Sequence, residues 1–339
     1  MKSSPSQTFL LASNFSLRQL PRMNMSKQFV KLVSSGIASA AGIALIFSGC
    51  GGETETDPSA AAASGKLKVP TTVNMVSDLV REIAGEHVEV SELMGPGVDP
   101  HLFKASAGDV DKLMNADVVF YVGLLLEGKI QSTLNKVESA YAVTSKIDTK
   151  RLDRPEEFEG HFDPHIWFDV TLWVDTVDAV VEGLSKADSA HAADYKKNGE
   201  ATKAKMNALH EWSLEKVKEL PKAKRILITS HDAYNYFGRA YGFKVVGLQG
   251  ISTVSEASLA DVAKMVDFIK ENKVKAVFVE SSVSPAAIKR ISEDSGAVIG
   301  GELFSDAMGE RGKIEHGYDV GTYEGMIKHN LSTIVDALK

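Results

Sequence analysis

One cysteine in 339 residues, Cys50, excludes whole classes of architecture. A single thiol closes no internal disulfide and builds no thiolate-rich zinc, copper(I) or iron–sulfur centre. Basic charge is also short: 38 Lys and Arg against 45 Asp and Glu leave a formal charge of -7. With no Lys/Arg stripe and no RNA-binding aromatic motif, nothing in the chain draws it to nucleic acid. HExxH, GxSxG and a glycine-rich phosphate loop are absent too, which removes the enzymes that carry those signatures. What remains is 44% hydrophobic, enough to build two packed lobes.

The N-terminus has the order of a secretory signal. Arg18, Arg22, Lys27 and Lys31 precede an uncharged stretch from Leu32 to Phe47, and small residues lead to Cys50. The stretch is 16 residues long and rich in Gly, Ser and Ala, which is short and weak for a stable membrane span. The expected division is a signal peptide over 1–49 and a flexible tether over 50–65, with Met23 or Met25 as alternative starts.

From Lys66 onward strands and helices alternate. "KLKVPTT" reads as a strand, residues 73–84 recur at helical spacing, and 87–94 alternate like a strand. Ser106 with Asp109 marks a helix start, and "DVVFYVG" (117–123) reads as a buried strand. Between Thr171 and Leu220 the periodicity is helical throughout, and 189–220 predict one long polar helix with too little apolar surface for a core. Alternation resumes after Pro221: strands at 225–230, 244–250, 275–281 and 296–301, with helices at 232–242 (closed by Gly242), 258–272, 285–295 and 322–338. The expected fold is α/β, two lobes (66–188 and 221–339) each with a mostly parallel sheet flanked by helices, with 189–220 as the link.

Nine histidines are present. His87, His191, His210 and His329 fall within predicted elements and read as solvated or packed; His316 stands in a loop with no other signal. His101, His165 and His231 differ, because each follows a predicted strand end or lies in the loop beyond it, where open α/β sheets gather ligand-binding groups. Asp306, in the loop after "GAVIGG", reaches toward the same crevice. The separations are 64, 66 and 75 residues (165 − 101, 231 − 165, 306 − 231), so only a folded chain can assemble them. Three imidazoles and a carboxylate suit a divalent transition metal such as zinc or manganese. His101 and His165 each follow Asp-Pro, whose fixed backbone presents the imidazole with less freedom to lose. His161 is an auxiliary candidate, although Pro164 prevents a helical pair with His165. Glu280, at the end of "KAVFVE", is either a stray base or a partner for a ligand imidazole. Trp167 and Tyr234 leave a larger aromatic cleft for an organic chelate as the competing reading. A zinc hydrolase would need an open coordination position, which four protein ligands deny.

"LMGPGVDPHLFKAS", "ADVVFYVGLLLEGKI", "DPHIWFDV", "ITSHDAYNYFGRAYG", "ELFSDAMG" and "GTYEGMIKHNLSTIVDAL" resemble, in order, the blocks of the metal-binding lipoproteins of bacterial ABC importers, the TroA/ZnuA-like group. The likeness spans residues 66–339. It implies two α/β lobes bridged by one helix, and one divalent ion held by His101, His165, His231 and Asp306. "IFSGC" resembles a lipobox, which implies lipidation at Cys50 and an exported protein anchored outside the cytoplasmic membrane. The implied partners are a membrane permease and its ATPase, with the binding protein a monomer. In that group a histidine at position 231, rather than glutamate, points to zinc, whereas "RPEEFEGHFDPH" lacks the long histidine-rich loop of zinc-specific members.

Overall fold

A run of buried β-branched residues opens the first sheet. The computed structural model describes residues 65–339, so the signal peptide, Cys50 and nearly all of the tether lie outside the described residues. Strand β1 (Leu67–Val73) pairs in parallel with β2 (Val88–Met94) through α1 (Asn74–Ala84). On its other side β1 meets β3 (Val119–Tyr121), which pairs in parallel with β4 (Ala140–Ala142). Pro70 has no N–H to offer, and β3 joins β1 only at Thr71↔Phe120. Helix α2 (Ala107–Met114) starts at the expected Ser106/Asp109 capping box. The predicted strand 117–123 is shorter, because the chain turns into left-handed backbone at Gly123, Leu124 and Leu125 before the short helix α3 (Gln131–Leu134).

Helix α4 (Val170–Ala187) is capped by Asp169, whose carboxylate accepts from Thr171 N–H at 3.0 Å. The long helix α5 (Ala192–Val217) has 26 residues, about 39 Å. It is polar except for one stripe: Tyr195, Gly199, Thr202, Met206, Leu209, Ser213 and Val217 are buried at spacings of three and four. At Gly199 a Cβ would stand 2.7 Å from Val181 Cγ2, so glycine lets α5 approach α4 closely. The structure thus resolves the predicted helix into a three-residue 3₁₀ turn, Ser189–His191, and an α5 that packs against α1 and α4.

The second lobe repeats the parallel scheme. Strand β5 (Ile226–His231) pairs with β6 (Lys244–Gln249) through α6 (Asn235–Tyr241), and helix α7 (Leu259–Asn272) leads to β7 (Ala276–Glu280). Strand β7 runs beside β5 and pairs with β8 (Val298–Leu303) through α8 (Ala286–Ser295). The last strand starts two residues later than the sequence predicts, because Gly296 (φ 81°) ends α8. A two-strand hairpin, β9 (Ile314–Glu315) and β10 (Tyr318–Asp319), precedes α9 (Tyr323–Leu338). Among the described residues no helix is long and apolar enough to cross a membrane.

Candidate metal centre

Both Asp-Pro-His segments fold the same way. Asp99 Oδ1 accepts the N–H of His101 at 2.8 Å, and Asp163 Oδ1 accepts the N–H of His165 at 2.9 Å. Each aspartate closes an Asx turn around its proline and turns the next residue inward. Beyond that the two differ. Asp163 Oδ1 also accepts from His165 Nδ1 at 2.7 Å, whereas the free oxygen of Asp99 receives the hydroxyl of Thr253, in the second lobe, at 2.6 Å. Sequence reasoning credited the proline and missed these aspartates; the Asp two residues before each histidine was the signal.

His231 closes β5. Its N–H donates to Glu280 Oε1 at 3.0 Å and its Nδ1 to Oε2 at 2.6 Å. Glu280, at the end of β7, is therefore a partner of the imidazole. The loop carrying Asp306 is clamped by the first lobe: Trp167 Nε1–H donates to Ser305 O at 3.0 Å, and Asn74 exchanges two hydrogen bonds with the backbone of Met308.

These elements bring His101, His165, His231 and Asp306 together, with one donor atom from each lying within 4.8 Å of the others. Among the described residues no other such group draws its donors this close. His101 is 3% exposed and the other three 0%. His101 Nε2 lies 3.3 Å from His165 Nε2 and 3.7 Å from Asp306 Oδ2; His165 Nε2 is 3.4 Å from Asp306 Oδ1; His231 Nε2 is 3.2 Å from Oδ2. His231 Nε2 and both Asp306 oxygens make no hydrogen bond of acceptable geometry. Since Nδ1 of His165 and of His231 is spent on a carboxylate, each presents Nε2 to the centre. Donors about 2.0–2.1 Å from a tetrahedral zinc stand about 3.4 Å apart, which the observed spacings bracket.

The charges sort unevenly. Burial pushes His101 down to about 3, against the opposing pull of Asp306. For His165 burial also acts downward, but Asp163 and Asp306 outweigh it and lift the imidazole to about 9. His231 is likewise raised, burial being overcome by Glu280 and Asp306. Asp306 is held well below the usual carboxylate range, since His231 and His165 outweigh its burial. Burial thus disfavours charge on His101, whereas the neighbouring carboxylates favour the charged form of His165 and His231.

The remaining candidates sit elsewhere. His161 is exposed and packs edge-on against Phe158 rather than joining the four. Trp167 and Tyr234 are fully buried, their polar atoms held by backbone carbonyls, so they wall the site without opening an aromatic cleft. His87 and His191 stack on each other, ring centroids 3.8 Å apart.

Two α/β lobes, linked by the long α5 and closing over a buried three-histidine, one-aspartate cluster, define a solute-binding protein. The chain belongs to the family described as "ZnuA: Zinc-uptake complex component A periplasmic", whose model matches residues 69–337. It is 46% identical to the manganese-binding lipoprotein MntA of Bacillus subtilis, over 86% of this chain and 94% of that protein. It is 44% identical to the zinc-binding protein TroA of Treponema pallidum, over 82% of this chain and 91% of that one. The solved structure of the periplasmic zinc-binding protein TroA superposes with a TM-score of 0.77 at 42% identity, covering 81% of this chain and 99% of that structure.

Proposed function

We propose that this chain captures one divalent transition metal ion with His101, His165, His231 and Asp306 and delivers it to an ABC permease, whose ATPase drives uptake. The carrying observation is the convergence of four buried donor groups, three of whose atoms lack hydrogen-bond partners. Buried polar atoms with no hydrogen-bond partner are costly unless an ion satisfies them. The ion is cargo, and no chemistry is performed on it. In this reading 66–188 and 221–339 are the lobes and 189–220 the link. Release comes from small loop and lobe shifts imposed by the permease, because α5 resists a wide hinge. Lipidation at Cys50 would hold the monomeric protein at the outer face of the cytoplasmic membrane.

Zinc is the favoured cargo, since three imidazoles suit it better than manganese. Manganese is the second reading: both oxygens of Asp306 face the imidazoles, which adds a hard donor, and one of the two close relatives is named for manganese. The test is a competitive titration of the metal-free full chain with zinc and manganese, with stoichiometry read by native mass spectrometry and repeated on His165→Ala. One tightly bound ion, lost or much weakened in the variant, is the expected result. Binding indifferent to His165 would overturn the site.

A further inference from the structure

Behind β8 the C-terminal lobe assembles a second pair of imidazoles that the interlobe cluster does not use. His329, on α9, is 5% exposed. Its Nε2 lies 3.1 Å from the carbonyl oxygen of Glu302. A carbonyl only accepts, so Nε2 carries the proton, and the neutral ring then has its lone pair on Nδ1. That Nδ1 is buried without a hydrogen-bond partner and stands 3.5 Å from Glu315 Oε2. A lone pair facing a carboxylate is repulsive, and a cation between them removes the conflict.

The surroundings favour a metal over a proton. Burial holds His329 below its ordinary value, so a proton on Nδ1 is disfavoured. Glu315 stays ionised because Lys313 Nζ approaches its other oxygen at 2.6 Å. The β9–β10 turn holds His316 (φ 51°) and Gly317 (φ 83°) in left-handed backbone and carries the exposed ring of His316 edge-on to His329, centroids 5.1 Å apart. Its Nε2 lies 3.4 Å from Thr333 Oγ1, a weak contact to give up. Glu302 and Asp336 line the same pocket and add negative charge.

We propose that His329 Nδ1 and a Glu315 oxygen form a second divalent-cation site, weaker than the interlobe one, with the exposed His316 ring rotating in as third donor. The 3.5 Å spacing suits two donors on one zinc ion at about 2.0–2.2 Å each. The site also lies on the brace behind Asp306: Asn330, next to His329, binds both the N–H and the carbonyl of Phe304.

The test uses the full chain with zinc alone as probe, counted by native mass spectrometry. Wild type is expected to take two ions in sequence, and Glu315→Gln and His316→Ala to take one while keeping the tight ion. Asp306→Asn, aimed at the interlobe cluster, is expected to keep the hairpin ion, so failure of either site is seen separately. Nitrogen-15 NMR of the His329 ring should show Nδ1 as a lone pair in the metal-free protein and shifted on zinc addition, with the shift absent in Glu315→Gln. A wild type that never exceeds one ion, a second ion that persists in both hairpin variants, or a His329 Nδ1 that is protonated and indifferent to zinc would each overturn the proposal.

Discussion

Metal capture by this cluster should release protons. In the metal-free protein His165 titrates at about 9, so at neutral pH its imidazole is almost wholly protonated. Stripping that proton at about pH 7 costs about 2.7 kcal/mol, roughly a hundredfold in affinity, at about 1.4 kcal/mol per pH unit of separation. His231 is raised in the same direction and contributes a second proton, whereas His101, lowered to about 3, contributes none. Apparent affinity should therefore climb with pH, by about two log units per pH unit while both imidazoles remain charged, and less steeply once pH passes the folded value of His165. Competition against a chelator at about pH 6, 7 and 8 measures the slope. Calorimetry in buffers of different ionisation heat counts the protons. A flat profile with no buffer dependence would refute the charge assignment. The same shift has a stability consequence of fixed sign. A raised imidazole stabilises the metal-free fold below its unfolded value of 6.5, and this is lost as pH rises through about 9. The melting temperature of the metal-free protein, followed by circular dichroism, should fall across that window.

Glu280→Gln and Asp163→Asn should each weaken metal binding about 10–100-fold at alkaline pH, where easier deprotonation no longer offsets the loss of the carboxylate that orients one imidazole; unchanged competition constants there would show the carboxylates to be bystanders. Gly247→Ala should weaken binding with all four donor side chains in place: its Cβ would lie 2.6–2.7 Å from the backbone of His231 and Asp232, driving the end of β5 out of place. Denaturant unfolding should register a loss of about 1–3 kcal/mol for it. Glu127→Ala should cost about 3 kcal/mol in the same assay, since the buried carboxylate accepts from Thr72 Oγ1 at 2.7 Å and from the N–H groups of Val122 and Gly123 at 2.8 and 3.1 Å. A loss below about half that would mean the β3 exit loop holds without it.

Much of this was readable in the chain. The alternation of period-two and period-3.6 segments fixes the two α/β lobes, and breakers such as Pro221 and Gly242 mark real element ends. The four residues that the structure clusters, His101, His165, His231 and Asp306, stood out because three follow strand ends or rigid turns. What escaped was set by distant partners. β4, three residues long, exists because β3 offers it a ladder, and Ala-Tyr-Ala carries no periodic signal of its own. The Asp99 contact with Thr253 spans 154 residues, and no local pattern announces it. His329 read as a packed histidine, which it is; only the Glu302 carbonyl reveals which of its nitrogens bears the lone pair.

Burial of the four groups also sets a clock. With exposures of 0–3%, no donor atom faces bulk water, so an ion held there would not leave by stepwise replacement of protein donors with water. Its residence time would be governed by how often the walls part, at contacts such as Thr253–Asp99 and Trp167–Ser305, and only secondarily by bond strength. Affinity and exchange rate would then be separate dials. A docking partner that loosens those interlobe contacts could unload the cargo quickly without altering a single donor.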